Sequence, residues 1–368
     1  MHFIFPMEGD VLNDSEGKPG RDGLTFTVRI AGDPDDPVSV NGVPCRFEEG
    51  EWRTEAAVGT ALLLTAECKS GAETAAVFRF ADAFRKYRLA IDDVTISLRN
   101  IAKDRPASVF DEPLFGFFGD LHRKYGAKIQ FNAYLYDGEG FGLRDFPDSY
   151  RSEFDSCADW MRLTFHARAD KPDHIYMYSG YGEMAADIDM TQRELERIAG
   201  NRITKCAANG LHHAETTREG ARALRDRGME LLIGYFIFDV NGDPAVSYYL
   251  DREQTRHIAR RDFWVDRSER IVFSRDKLVL DQHSPDEIPG IIDGMLRDQP
   301  QGAGILNFVT HEQYFYPSHA LYLSDHRQRI EAAVRRAAEL GYDPCFIDET
   351  APRYAGLEKM LSKQGLKM

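Results

Sequence analysis

Cysteine is sparse and unpatterned in this chain. Cys45, Cys68, Cys157, Cys206 and Cys345 are odd in number, far apart and free of any Cys-x-x-Cys spacing. That argues against a disulfide framework and against a thiolate zinc site, and leaves the thiols as small buried hydrophobes. Basic charge is also in deficit: 46 Lys and Arg face 60 Asp and Glu, a formal net charge of −14. A chain this acidic is a poor non-specific nucleic-acid binder, so no nucleic-acid partner is expected. It would also repel a polyanionic substrate. Long hydrophobic runs are missing, with no window of about 18 apolar residues, so no membrane insertion is expected. The run Met1 to Asp10 has no basic n-region and no long apolar stretch. The expected location is therefore cytoplasmic by default, or extracellular if a signal segment was removed ahead of this numbering. Internal repeats and low-complexity linkers are absent too. The oligomeric state stays open.

What is present is a chain of 368 residues, 43% hydrophobic, long enough for a small module and a larger domain with a sizeable core. Residues 1–84 read as all-β. Thr25 to Ile30 and Ala76 to Phe80 alternate with period two, and turn residues separate the runs: Gly32-Asp33-Pro34, Asn41-Gly42, Glu49-Gly50 and Ser70-Gly71. Asn41-Gly42 between Val38-Ser39-Val40 and Val43 predicts a tight hairpin. A small β-sandwich is the expected fold of this module.

From residue 85 strands alternate with helices. Strands are expected near 87–94, 127–136, 160–166, 203–208, 229–236, 271–281, 303–310 and 344–348. Helices are expected at 113–125, 147–158, 190–199, 215–228, 285–297 and 325–340. Such alternation implies α/β architecture with a mostly parallel sheet. Its length favours closure of residues 85–368 into a (β/α) barrel, seven- or eight-stranded and distorted.

Catalytic groups of such barrels sit at the C-terminal ends of strands, so the polar residues there are the candidates. The first strand ends in Ile91-Asp92-Asp93, where one carboxylate can ligate a metal while the other takes a proton; the bland alternative is a turn or helix cap. The third ends in Phe165-His166, with Asp170 and His174 following. Imidazole with carboxylate suits zinc or another first-row divalent ion. The fourth leads into Asn209-Gly210-Leu211-His212-His213 ahead of a helix, where paired histidines can bind substrate hydroxyls or anions. The seventh ends in Thr310-His311, followed by Tyr314-Phe315-Tyr316, aromatic faces on which a sugar ring can stack. Ordinary packing accounts for any single one of these residues; several strand ends of matching chemistry are harder to dismiss.

Together these strand ends resemble the polysaccharide deacetylase superfamily, the NodB-type homology domain, over roughly residues 85–350. Asp92-Asp93 matches the family's aspartate pair, which implies base for Asp92 and metal ligand for Asp93. His166 matches its first metal histidine. At the second, Asp170 stands four residues on and His174 further away, so the resemblance implies Asp93 and His166 as metal ligands, with Asp170 or His174 completing the set. The loop Asn209 to His213 stands at the third motif without its Arg-x-Pro. Leu306 to His311 is similar to the last motif, which implies general acid for His311. Substrate contacts are expected from His212, His213, Tyr314 and Tyr316. The implied activity is metal-dependent removal of an N- or O-acyl group from a carbohydrate. Two rivals stand beside it: a glycosidase on the same barrel using Asp92 and a later carboxylate such as Glu312, and a non-catalytic carbohydrate-binding relative.

Overall fold

The alternating apolar residues of the first module become the inner faces of strands. In the computed structural model, which describes residues 1–363, Leu24, Phe26, Val28 and Ile30 of the strand Gly23–Ala31 are all buried, while the residues between them are not. Strands Ser39–Val40 and Val43–Pro44 pair antiparallel around Asn41 and Gly42, whose φ values of 50° and 79° give the tight turn that the sequence asks for. The module forms two five-stranded sheets. They share one apolar cluster, to which one sheet gives Leu24, Phe26, Val28 and Ile30 and the other Leu64, Ala66, Ala75 and Val77.

Beyond residue 85 the strand Lys86–Val94 pairs parallel with both Ile129–Tyr134 and Ile305–His311. Met161–Ala167, Leu278–Val279 and Asp343–Pro344 complete a parallel sheet of six. Ala208–Asn209, Leu231–Gly234 and Ile271–Arg275 run parallel in a second sheet, with Phe263–Asp266 antiparallel at its edge. Among the described residues the strands therefore form no single hydrogen-bonded ring of a closed barrel. The chain is a mixed α/β structure of several sheets.

The physical reason lies in the seams. The strand expected at 203–208 is instead the short helix Asn201–Thr204 followed by a two-residue strand, whose backbone pairs with Leu231–Gly234. Side-chain amides replace the ladder on its other side. Asn209 Nδ2 donates to Phe165 O at 2.6 Å, and Gln130 Nε2 donates to Ala208 O at 3.2 Å. At the opposite seam Asn307 Nδ2 donates to Arg275 O at 2.7 Å. These amides belong to a buried polar interior with Arg88 and Asp276, whose ion pair is 3.0 Å long. Their amide N–H groups find acceptors, which makes the burial tolerable, while Asn209 Oδ1 and Asn307 Oδ1 meet no hydrogen-bond partner among the described residues. The strand expected at 344–348 likewise shrinks to Asp343–Pro344 before a 3₁₀ turn, Pro344 offering no N–H to a ladder.

Helix Pro113–Tyr125 appears as expected, with Pro at its first position, Glu112 accepting from Leu114 N, and Gly126 left-handed at its end. The helix expected at 190–199 begins earlier and spans Tyr181–Ala199. Helix Ile96–Asp104, directly after the first parallel strand, was not evident from the sequence pattern. No helix among the described residues is long and apolar enough to cross a membrane.

The module and the α/β part are docked by a shared apolar cluster in which Ala76, Phe78 and Phe80 meet Phe263, Tyr354 and Leu357. A buried polar clasp lies beside it. Asp10 Oδ1 is 2.5 Å from His257 Nε2 and 2.9 Å from Arg261 Nε, and Arg261 reaches Glu16 at 2.6 Å.

Candidate metal centre

Plain strand alternation would send Asp92 and Asp93 to opposite faces. The backbone prevents that. Ile91 pairs with Phe131 and Val94 with Ala133, so three steps on one strand match two on its neighbour. Asp93 sits in this bulge with φ 64°, and both carboxylates line one cavity of about 340 Å³. A left-handed aspartate costs on the order of 1–3 kcal/mol, and such strain gathers at functional sites.

His166 is aimed by a second bulge. Ala133 pairs with Phe165 and Tyr134 with Ala167, which leaves His166 as the extra residue. Its ring is buried, and Nδ1 lies 2.6 Å from Gly210 O. Only an N–H can face a carbonyl at that distance, so the lone pair of neutral His166 is on Nε2. That atom points at Asp93 Oδ1, 3.2 Å away. His212 arrives from the turn after Ala208–Asn209, where His213 and Ala214 have φ 59° and 44°. Its Nδ1 is 3.3 Å from His166 Nε2 and 3.5 Å from Asp93 Oδ1.

These three separations test the fit to an ion. A tetrahedral site with metal–ligand bonds of about 2.0–2.1 Å has ligand–ligand edges of about 3.3–3.4 Å. Edges of 3.2, 3.3 and 3.5 Å match it, and the donor types suit zinc or a neighbouring first-row ion. Asp93, His166 and His212 thus form a group able to hold a metal ion. Three such atoms this close need a hydrogen or an ion between them, which the N–H of one imidazole or a metal cation can supply. The titration shifts agree. Burial pushes Asp93 up, but its contacts with His166 and His212 outweigh this and hold it well below the usual carboxylate range. Burial pulls His166 down, but the charges of Asp92 and Asp93 raise it above its ordinary value.

Across the same cavity stands His311, at the end of its strand. Its Nδ1 is 2.5 Å from Asp281 Oδ2. Asp281 Oδ1 in turn meets His326 Nε2 at 3.1 Å and the Thr310 hydroxyl. Burial pulls His311 down, yet the Asp281 contact and the charges of Asp93, Asp281 and Asp92 push it up to about 10. Burial pushes Asp281 up, yet His311 and His326 bring it down to about 2. Asp92 Oδ1 accepts from Asn132 Nδ2 at 2.6 Å, and Asn132 Oδ1 is held by Thr164 Oγ1 at 2.5 Å and Gln130 Nε2 at 2.9 Å. A second lobe of about 370 Å³ shares Asp93, Asp170, Lys171 and Gln313 with the first, so the donor group lies on a two-lobed cleft.

Around this cleft the structure gathers Asp92, Asp93, His166, His212, His213, Asp170, His311 and Tyr314. It alters several expected roles. His212, read from the sequence as a substrate contact, supplies the third donor. Asp170 lies outside the donor group, half-exposed, 3.6 Å from the far nitrogen of His212. His174 points away, half-exposed, paired with Glu215 at 2.7 Å and stacked on His213. Tyr316 is buried and donates to Glu112 at 2.7 Å, so it does not line the cavity. Glu312 is also buried, accepting from the backbone N–H groups of Thr95, Ile96 and Ser97 at the start of helix Ile96–Asp104. It anchors the start of that helix and is not among the residues lining the two lobes.

Sequence reasoning missed Asn132, Tyr134, Asp276 and Asp281. A signal for two of them exists: Gln130, Asn132 and Tyr134 alternate with apolar residues in a strand whose every residue is buried. That pattern marks an interior polar face.

No family model matches the chain, and no curated protein matches it. Among solved structures, the crystal structure of a "putative polysaccharide deacetylase from Mycobacterium smegmatis" is similar at 12% identity. The likeness covers 77% of this chain and 91% of that one, with a TM-score of 0.42. One this distant assigns nothing to the chain.

Proposed function

We propose that this protein is a metal-dependent hydrolase that removes an N- or O-acyl group from a carbohydrate. One observation carries the reading: a three-donor group at tetrahedral spacing shares one cavity with a histidine whose Nδ1 is paired to a buried aspartate. A divalent ion bound by Asp93, His166 and His212 would supply an acidified water and polarise the acyl carbonyl. Asp92, gripped by Asn132, accepts the proton of the attacking water. His311 uses Nδ1 to hold Asp281, which leaves Nε2 to protonate the departing amine or alkoxide. His213, Asp170 and Tyr314 contact the sugar from the cleft walls. Residues 1–84 are, in the same reading, an accessory module to a catalytic part of residues 85–368.

The test is elemental analysis of the purified protein together with acetate release from N- and O-acetylated oligosaccharides. One divalent ion per chain and metal-dependent acetate release support the proposal. Metal-free protein that takes up no added zinc, cobalt or manganese contradicts it. Cleavage of the sugar chain without acetate release would instead favour a glycosidase.

A further inference from the structure

The Tyr134 hydroxyl stands beside the donor group without belonging to it. The ring is fixed by packing: it is 2% exposed and lies in an apolar cluster with Phe165, Tyr176, Ile188 and Leu211. Its hydroxyl donates to Asp93 Oδ1, the same oxygen that faces both histidines. It also lies 2.9 Å from His212 Nδ1. The other oxygen of Asp93 accepts from Gln313 Nε2 at 3.0 Å. Asp93 is therefore gripped at both oxygens, Oδ1 by Tyr134 and Oδ2 by Gln313. Partners of this kind fix the orientation of metal ligands, and their loss costs about 10–100-fold in affinity.

We propose that Tyr134 is a positioning residue for the metal centre, its hydroxyl setting the Asp93 carboxylate for a divalent ion. The inference rests on the metal reading above and extends it to a residue on a neighbouring strand. Tyr134→Phe removes one oxygen and keeps the ring in its cluster. The variant should melt like the wild type when both are metal-free. Its zinc dissociation constant, measured by competition with a chromophoric chelator, should rise about 10–100-fold. The visible spectrum of its cobalt(II) form should change as well, which a purely structural tyrosine would not produce. Equal zinc affinity and identical cobalt spectra in the two proteins overturn the inference while leaving the metal reading intact. A wild type that binds no ion overturns the metal reading itself. Should Tyr134→Phe fail to fold, zinc added to the metal-free wild type decides. A near-ultraviolet tyrosine difference spectrum supports the inference, and its absence overturns it.

Discussion

Two clusters of the same residue types meet at one cavity, the second through His311, and they are arranged in opposite ways. In Asp93–His166–His212 the histidine nitrogens converge on one carboxylate oxygen, and each edge is near 3.3 Å. In Asp281–His311–His326 the two oxygens of Asp281 are divided between the rings, Oδ2 to His311 and Oδ1 to His326 and Thr310. The first arrangement brings three donor atoms into one small volume, which suits a metal cation. The second meets each oxygen with its own partner, and the pairing with Asp281 favours the protonated form of His311. Histidine and aspartate alone therefore do not define a metal site. What decides is whether the free nitrogens share a target or divide it.

Breaking the first cluster should have the largest effect. His166→Ala should reduce bound metal to background and abolish acyl hydrolysis with the far-ultraviolet circular dichroism unchanged. Retained stoichiometric metal would remove His166 from the donor set.

Breaking the second cluster should leave metal content untouched. General acid help is typically worth about 10²–10⁴-fold, so His311→Ala should lower turnover by that order on an unactivated amide. The loss should shrink on activated aryl esters, whose leaving groups need no proton. Full activity on the amide would refute the assignment.

The pairing of His311 with Asp281 also sets a pH dependence of stability. His311 is raised from 6.5 to about 10, so its contribution is complete below pH 6.5 and is lost as pH rises through about 10. Asp281 is lowered from 3.8 to about 2, so its contribution is complete above pH 3.8 and is lost as pH falls through about 2. Denaturant unfolding should show wild-type stability falling between pH 6.5 and 10, with a flatter profile in Asp281→Asn. Parallel profiles would mean that the pair is not coupled as described.

His326→Gln should have the smallest effect. It removes one hydrogen bond, worth about 1 kcal/mol, from an aspartate that keeps its contact with His311. Turnover should fall by less than about tenfold. A loss as large as that of His311→Ala would place His326 in the chemistry itself.

The sequence was most informative where side chains alternate regularly and least informative where the backbone departs from regularity. Leu24 to Ile30 and the Asn41-Gly42 turn were legible because period two and a glycine turn are local signals. So were Asp92, Asp93, His166 and His311 as strand ends. The third donor was not, because two bulges and a left-handed turn decide which side chains meet, and none leaves a periodic trace. His174 seemed closer to His166 in sequence, yet its own left-handed backbone, φ 55°, accompanies a side chain turned toward Glu215. Closure of the barrel was over-read for a related reason: the amides Asn209 and Asn307 stand at seams where backbone pairing was assumed.

The central claim, that His212 rather than His174 completes the donor group, is tested most directly by metal stoichiometry in two variants side by side. The expected result is one divalent ion per chain in His174→Ala and none in His212→Ala. Full metal in His212→Ala, or its loss in His174→Ala, would contradict it.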